Sequence, residues 1–349
     1  MTSTRLRGAI AAAAVAVLAL GACSTGSAGS TDEAATAPAA ADAFPVTITH
    51  AFGETTIAKQ PQRVATVAWV NADTALALGV VPVGMPKDEW GGNDKGSTPW
   101  KDAALDKLGA AIGTAKAPAQ YSEADGINFA EIAKTTPDVI LAAYSGLTKA
   151  DYDKLSKIAP VVAYPDVAWG TPWQQSTAMI GKALGKSAQA EKLVADTEQT
   201  IKDKAAAYPQ LAGKTFIYGN LEPDSGAGIN IYTPNDNRPR FLTEIGMKLA
   251  PVIEDKTKGG KEFFIEWSPE RASELASDVF VTWVPDAKTK AAITKDPLIG
   301  QIPAVKSGAL VADSDNTLTL SISASNPLSL PWALDKVLPQ LGAAADTAS

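Results

Sequence analysis

The chain has one cysteine, Cys23, and one histidine, His50, among 349 residues. A lone thiol closes no intramolecular disulfide, and one thiol with one imidazole is too few ligands for a zinc site of that kind. A free-metal site of the zinc or manganese type needs several His and carboxylate ligands converging, which this composition does not offer. A membrane-attached α/β hydrolase is excluded too: no G-x-S-x-G elbow occurs, and His50 falls in an N-terminal strand-like stretch. Neither a P-loop nor a G-x-G-x-x-G after a strand is present, so nucleotide chemistry has no phosphate cradle. Arginine is scarce, six in all, and two of these, Arg5 and Arg7, stand at the extreme N-terminus. Beyond residue 22 no segment is apolar for long enough to be transmembrane.

What is present begins with those two arginines, an apolar run from Ala9 to Leu20 that is short for a bilayer, and small residues after it. Residues 1–22 read as a secretory signal peptide. Its last residues with the one that follows, Leu20, Gly21, Ala22 and Cys23, resemble the bacterial lipobox. That resemblance implies lipidation of Cys23 and an anchor on the outer face of the cell membrane, since acyl chains contribute about 0.8 kcal/mol per buried methylene. Residues 23–43, rich in Ser, Thr, Gly, Ala and Pro, have too little apolar area to offset ordering and read as a flexible tether. Without the signal the chain carries 29 basic against 38 acidic residues, a net of about −9. That balance disfavours nucleic acid as a partner.

From Phe44 onward apolar strand-like runs alternate with helical ones, the pattern of an α/β fold. VTITHAFGETTI reads as a hairpin, RVATVAW into NADTALALGV as a strand entering a helix, and VPVGM as a short strand. NFAEIAKTTPDVILAAY and KADYDKLSKIAPVVAYPD are each a helix leading to a buried strand, so about four parallel strands are expected. The proline-free stretch from Trp173 to Tyr208 reads as helix, of which Ser187 to Ala207 would span about 31 Å. KTFIYGNL restarts a sheet, and RASELASDVFVTWV repeats the plan of AEIAKTTPDVILAAY, which suggests a duplicated lobe. The expected divisions are a first lobe over 44–170, an interlobe helical segment over 171–212 and a second lobe over 213–349.

The lipobox, KQPQRVATVAWVNADTALALGVVPVGM, INFAEIAKTTPDVIL and LIGQIPAVKSGALVAD, in that order, resemble the solute-binding lipoproteins of ABC importers for ferric siderophores and haem-type ligands. The resemblance runs from about Val46 to Leu341. It implies two Rossmann-like lobes joined by a single long helix, the class III periplasmic-binding-protein plan. It further implies a monomer without a cofactor that holds iron only through its chelate, and that delivers it to a permease driven by a partner ATPase. Ligands in open α/β sheets sit beyond the carboxyl ends of strands. That places Trp69 and Asn71, Lys87 to Trp90, Tyr144, Trp169 and Trp283 at the cleft, although any one Trp at a strand end also fits simple packing under a loop. Arg238 and Arg240, in the loop-like PNDNRPRF, are the residues to meet the negative oxygens of a catecholate or carboxylate siderophore; the family pattern puts an arginine there. Arg63 reads as structural. Docking on the permease is implied through one acidic residue per lobe: Glu270 in SPERASEL and, since Ala130 holds the usual first-lobe position, its neighbour Glu131. Haem, with Tyr144 as an iron ligand, a corrinoid, and a purely adhesive lipoprotein remain alternatives.

Overall fold

The computed structural model describes residues 42–223 and 228–348. The signal segment, Cys23 and the tether up to residue 41 lie outside the described residues. Strands β1 (Val46–His50) and β2 (Gly53–Ile57) form the expected antiparallel hairpin, with Val46, Ile48 and Ile57 turned inward by the alternation of the pleat.

The first sheet contains β3 (Val64–Thr66), β4 (Gly84–Pro86), β5 (Ala119–Tyr121), β6 (Val139–Ala142) and β7 (Val161–Ala163), all parallel, in the order β5-β4-β3-β6-β7. β5 is the strand missing from the expected four. It is three residues long with an exposed Ala119, so no apolar run marks it. β3 and β6 are adjacent yet lead into connections that run opposite ways across the sheet, which opens a crevice beyond their carboxyl ends. Arg63, entering β3, donates from Nε to the Thr136 carbonyl at 2.8 Å and from Nη2 to that of Thr135 at 2.5 Å, a structural clamp.

The second sheet is built on β8 (Thr215–Leu221) and β12 (Val279–Trp283). β9 (Ile229–Tyr232), β10 (Lys248–Leu249), β11 (Phe264–Trp267) and β13 (Leu310–Asp313) complete it in the order β11-β9-β8-β12-β13. β8 changes partner along its length: Thr215 and Phe216 pair in parallel with β10, whereas Gly219 to Leu221 pair antiparallel with β9. β10, β8, β12 and β13 repeat the parallel plan of β4, β3, β6 and β7. β9 and β11 are an antiparallel addition on the cleft side.

Between the sheets the chain runs through two helices, Trp173–Ala183 and Ser187–Ala205, broken where Gly185 takes φ +71°. The longer spans about 28 Å. Its Ala190 belongs to the apolar cluster holding Val64 and Val139, and its Ile201 to the one holding Phe216 and Phe241, so one rod is rooted in both cores. The C-terminal chain then returns across the cleft. Leu320 and Ala324 pack with Val70, Trp100 and Tyr144 of the first lobe, a contact that no local sequence pattern announces. No helix among the described residues is long and apolar enough to cross a membrane.

Candidate ligand-binding site

A cavity of about 380 Å³ opens where the carboxyl ends of the two sheets face each other. Trp69, Trp90, Tyr144 and Trp169 line it from the first lobe and the crossover; Arg238 and Trp283 line it from the second. Trp69 and Trp169 meet with centroids 5.9 Å apart, and Tyr144 lies edge-on to Trp169 at 5.6 Å. Trp90 and Trp283 meet edge-on across the opening at 5.9 Å, one indole from each lobe.

Local backbone strain presents these rings. Ala68, Val70 and Trp169 all take positive φ (58°, 61° and 59°), a region that costs a non-glycine residue of order 1–3 kcal/mol. Asn71 holds the first of these turns. Its Nδ2 donates to the carbonyls of Val67 (2.7 Å), Trp69 (3.0 Å) and Tyr144 (2.9 Å), while its Oδ1 accepts from the Tyr144 N–H at 3.2 Å. The expectation that Asn71 faces the ligand is therefore corrected. Its side chain is fully buried and stitches the ends of β3 and β6 together, so it sets the rings without lining the cavity.

PNDNRPRF is not a loop. Asp236 caps the helix Asn237–Glu244, accepting from the Arg238 N–H at 2.8 Å, and Pro239 suits the first turn, where its missing N–H costs nothing. Arg238 is thus a cation at the positive end of a helix, a position that costs energy unless neutralised. Asp236 neutralises it: Nε donates to Oδ1 at 2.7 Å and Nη2 to Oδ2 at 2.6 Å. The guanidinium also lies 3.3 Å from the Tyr232 ring centroid. Burial alone would lower the Arg238 pKa; the Asp236 carboxylate overrides this and holds the guanidinium charged. Arg240 lies outside the cavity. It donates to the Gly170 carbonyl at 2.9 Å and borders a separate hollow of about 660 Å³ with Glu244, because the helix turns it away from Arg238's face. Lys87 does not line the cavity either.

The periplasmic binding protein family matches residues 64–317. This chain belongs to that family. Among solved structures, the binding protein is 38% identical to PiaA of Streptococcus pneumoniae TIGR4, crystallised with ferrichrome, over 87% of this chain and 99% of that one, with a TM-score of 0.80. It is 30% identical to a periplasmic solute binding protein of Mycobacterium smegmatis str. MC2 155, over 86% and 98% of the two chains, with a TM-score of 0.70. Among curated proteins it is 26% identical to the ferric enterobactin-binding periplasmic protein FepB of Escherichia coli O6:H1 over 295 residues, 79% of this chain and 86% of FepB. The two-lobed α/β architecture expected from the sequence is that of these class III binding proteins.

The binding protein's cavity contains residues that the sequence analysis did not single out. Asn220, near the end of β8, obeys the same strand-end rule and was legible by it; Tyr232 closes the antiparallel β9, whose carboxyl end points away from that of β8, so the rule does not find it. Thr319 and Ser323 are one helical turn apart on Asn316–Ser323, facing the cleft only because that helix crosses it. Phe263 and Asp236 complete the lining. Among the described residues no group of three or more His, Cys, Asp or Glu is arranged to hold a bare metal ion.

On the far side of Trp69 and Trp169 a further hollow contains Glu123. One carboxyl oxygen accepts from the Ala68 N–H at 2.9 Å, and the other is sealed from solvent without a hydrogen-bond partner. Burial pushes this carboxyl up to about 7, with the Glu89 charge adding to the rise and the Ala68 N–H opposing it. The folded state thus binds the proton more tightly than the unfolded chain, whose glutamate titrates near 4.3. This group's contribution to stability is greatest at low pH and is lost as pH rises through roughly 4.3 to 7, by about 4 kcal/mol in all. Glu123→Gln is expected to remove that component. In urea melts from pH 4 to 8 the variant should gain stability relative to wild type as pH rises, and a constant difference would refute the assignment.

Proposed function

We propose that this chain is the extracytoplasmic binding component of an ABC importer, capturing a ferric siderophore between its lobes and passing it to a membrane permease. The observation that carries the reading is the cavity itself: a nest of indole and phenol rings at the carboxyl ends of two facing sheets, of a size that suits one small ligand. No bond is made or broken in this role; the protein selects and delivers.

The charge of the lining narrows the ligand. Among the described residues lining the cavity, the charged ones are Arg238 and Asp236, which neutralise each other. Three hydroxamates around ferric iron leave a neutral complex, whereas three catecholates leave three negative charges with little here to meet them. The sequence left the chelate class open, with arginines to meet the negative oxygens of a catecholate or carboxylate; the paired charges favour ferric hydroxamates instead, the class to which the ferrichrome bound by PiaA belongs. Haem is disfavoured, because the Tyr144 hydroxyl is buried and directed at the Ser323 carbonyl, 3.5 Å away, rather than standing free to ligate iron.

Lipidation of Cys23 would hold the protein at the outer face of the membrane. Glu131, in the first turn of the helix Phe129–Lys134, and Glu270, exposed on the short turn Pro269–Glu274, are the carboxylates proposed to meet the permease. Glu131 is half engaged by Lys134 at 2.5 Å, an exposed pair that contributes little and breaks readily.

The test is a tryptophan-fluorescence titration of residues 24–349 with ferric hydroxamate, catecholate and carboxylate chelates, haem and a corrinoid in separate runs. Saturable quenching by the hydroxamate at micromolar concentration or below is expected. Saturation by a catecholate alone would overturn the hydroxamate assignment, and no saturable response to any of the five would overturn the transport reading in favour of an adhesive lipoprotein.

A further inference from the structure

The first lobe buries three charges that ligand contact does not use. Lys101, Asp73 and Asp88 are 3%, 3% and 7% exposed. Lys101 Nζ lies 2.6 Å from Asp88 and 3.4 Å from Asp73. Trp100 Nε1 donates to Asp73 at 2.5 Å, and Asn326, arriving from the C-terminal crossing, donates to the same oxygen at 3.4 Å. Such a group is a poor device for stability alone, because desolvating the ions offsets much of their attraction and an apolar filling of the same volume does as well or better. Lys101 also stands in the first turn of the helix Pro99–Lys107, where a cation opposes the macrodipole. Burial would discharge the lysine, and the two carboxylates hold it charged.

Asp88 shows what the cluster holds. It starts the arch from residue 88 to 97 that carries Trp90, and its own N–H donates to the Gly96 carbonyl at 3.0 Å, closing the base. The arch folds so tightly on Asp88 that a Cβ at Gly92 would come within 2.0 Å of the Asp88 carbonyl oxygen. At its crest the Gly91 carbonyl accepts from Thr317 Oγ1 of the opposite wall at 2.8 Å, and Trp90 meets Trp283 there. Trp90 is itself 37% exposed, so burial of its own ring does little to hold it.

We propose that Lys101 is a positioning residue for ligand retention: through Asp88 it fixes the arch that presents Trp90 to Trp283, and through Asp73 it ties that arch to the returning C-terminal chain. Lys101 touches no ligand. Its removal frees the Trp90 arch, and the cavity then opens more often on the Trp90 side.

The affinity arm of the test rests on the siderophore reading, whereas the ligand-free arm does not. The protein is labelled with 5-fluorotryptophan, and the Trp90 resonance is assigned by its loss in Trp90→Ala. In ligand-free Lys101→Met the Trp90 line is expected to broaden or double, while that of Trp173 is unchanged. Ferrichrome should dissociate roughly tenfold faster from Lys101→Met with little change in association rate. In the Trp90→Ala background Lys101→Met should add almost nothing, because the lysine acts through that ring. Asp88→Asn, which keeps the shape of the base, should show the same changes in smaller degree and carries the test if Lys101→Met fails to fold. A Trp90 line unaltered in the folded variants, or an affinity loss fully additive with Trp90→Ala, would overturn the proposal. If wild-type protein binds neither ferrichrome nor ferrioxamine B, the hydroxamate assignment falls and the fluorine spectra alone decide this proposal.

Discussion

Arg238→Ala is expected to weaken binding of a ferric hydroxamate by roughly thirtyfold or more and to destabilise the fold by about 3–5 kcal/mol. Both effects have one source. Asp236 is 2% exposed and its carboxylate spends both oxygens on this guanidinium. Truncating the arginine leaves a buried, uncompensated charge, and the Tyr232 ring loses the cation stacked on it. Two further variants separate the losses. Arg238→Lys keeps the charge but neither the planar stack nor the paired hydrogen bonds, so it should recover part of the stability and little of the affinity. Asp236→Asn combined with Arg238→Ala removes the stranded charge and should regain stability without regaining binding. Urea melts and chelate titrations on the same preparations measure both quantities. An unchanged dissociation constant in Arg238→Ala would exclude this residue from ligand contact.

The second large effect is expected where the crossover enters the second lobe. Trp173 is 2% exposed, packs with the core of Phe216 and Phe241, and donates from Nε1 to both oxygens of Glu244 at 3.1 Å. Truncating a buried indole costs about 3–5 kcal/mol, and here it also strips a donor from a carboxyl that burial already pushes up. Trp173→Ala should lower the urea midpoint by the larger amount with the denaturant slope unchanged. Trp173→Phe, which keeps most of the apolar volume and loses only the N–H, should cost about 1–3 kcal/mol. Equal losses for the two would place the weight on the hydrogen bond rather than on the ring. The same contact joins the interlobe helix to the helix bearing Arg238, so its loss should also loosen the two lobes against each other.

Much of the site was legible because the rule that finds it is local. An apolar run names a strand, and the residue after it points into the crevice; Trp69, Trp90, Tyr144 and Trp283 follow from that alone. Asn71 satisfied the same rule and does not line the cavity. A polar side chain two residues past a strand can turn back to cap the strand's own carbonyls, and the sequence does not say which way it turns. Arg238 and Arg240 stood two apart in an apparent loop, and only the family resemblance favoured Arg238. Once PNDNRPRF is a helix, two residues apart means opposite faces, so one arginine reaches the cavity and the other the Gly170 carbonyl.

Composition and periodicity by themselves determined that this is a two-sheet α/β chain with a long connecting helix. They also excluded a thiolate–imidazole metal site, since one cysteine and one histidine are too few ligands wherever the chain goes. Only the tertiary structure decided the electrostatics of the cleft and its closure. Whether Arg238 is free to attract an anion depends on the orientation of Asp236. Whether Trp90 closes over the ligand depends on a lysine buried at the base of its arch and on a C-terminal chain that crosses from the other lobe. Those are relations between distant segments, fixed when helix faces choose their partners, and one-dimensional spacing contains no record of that choice.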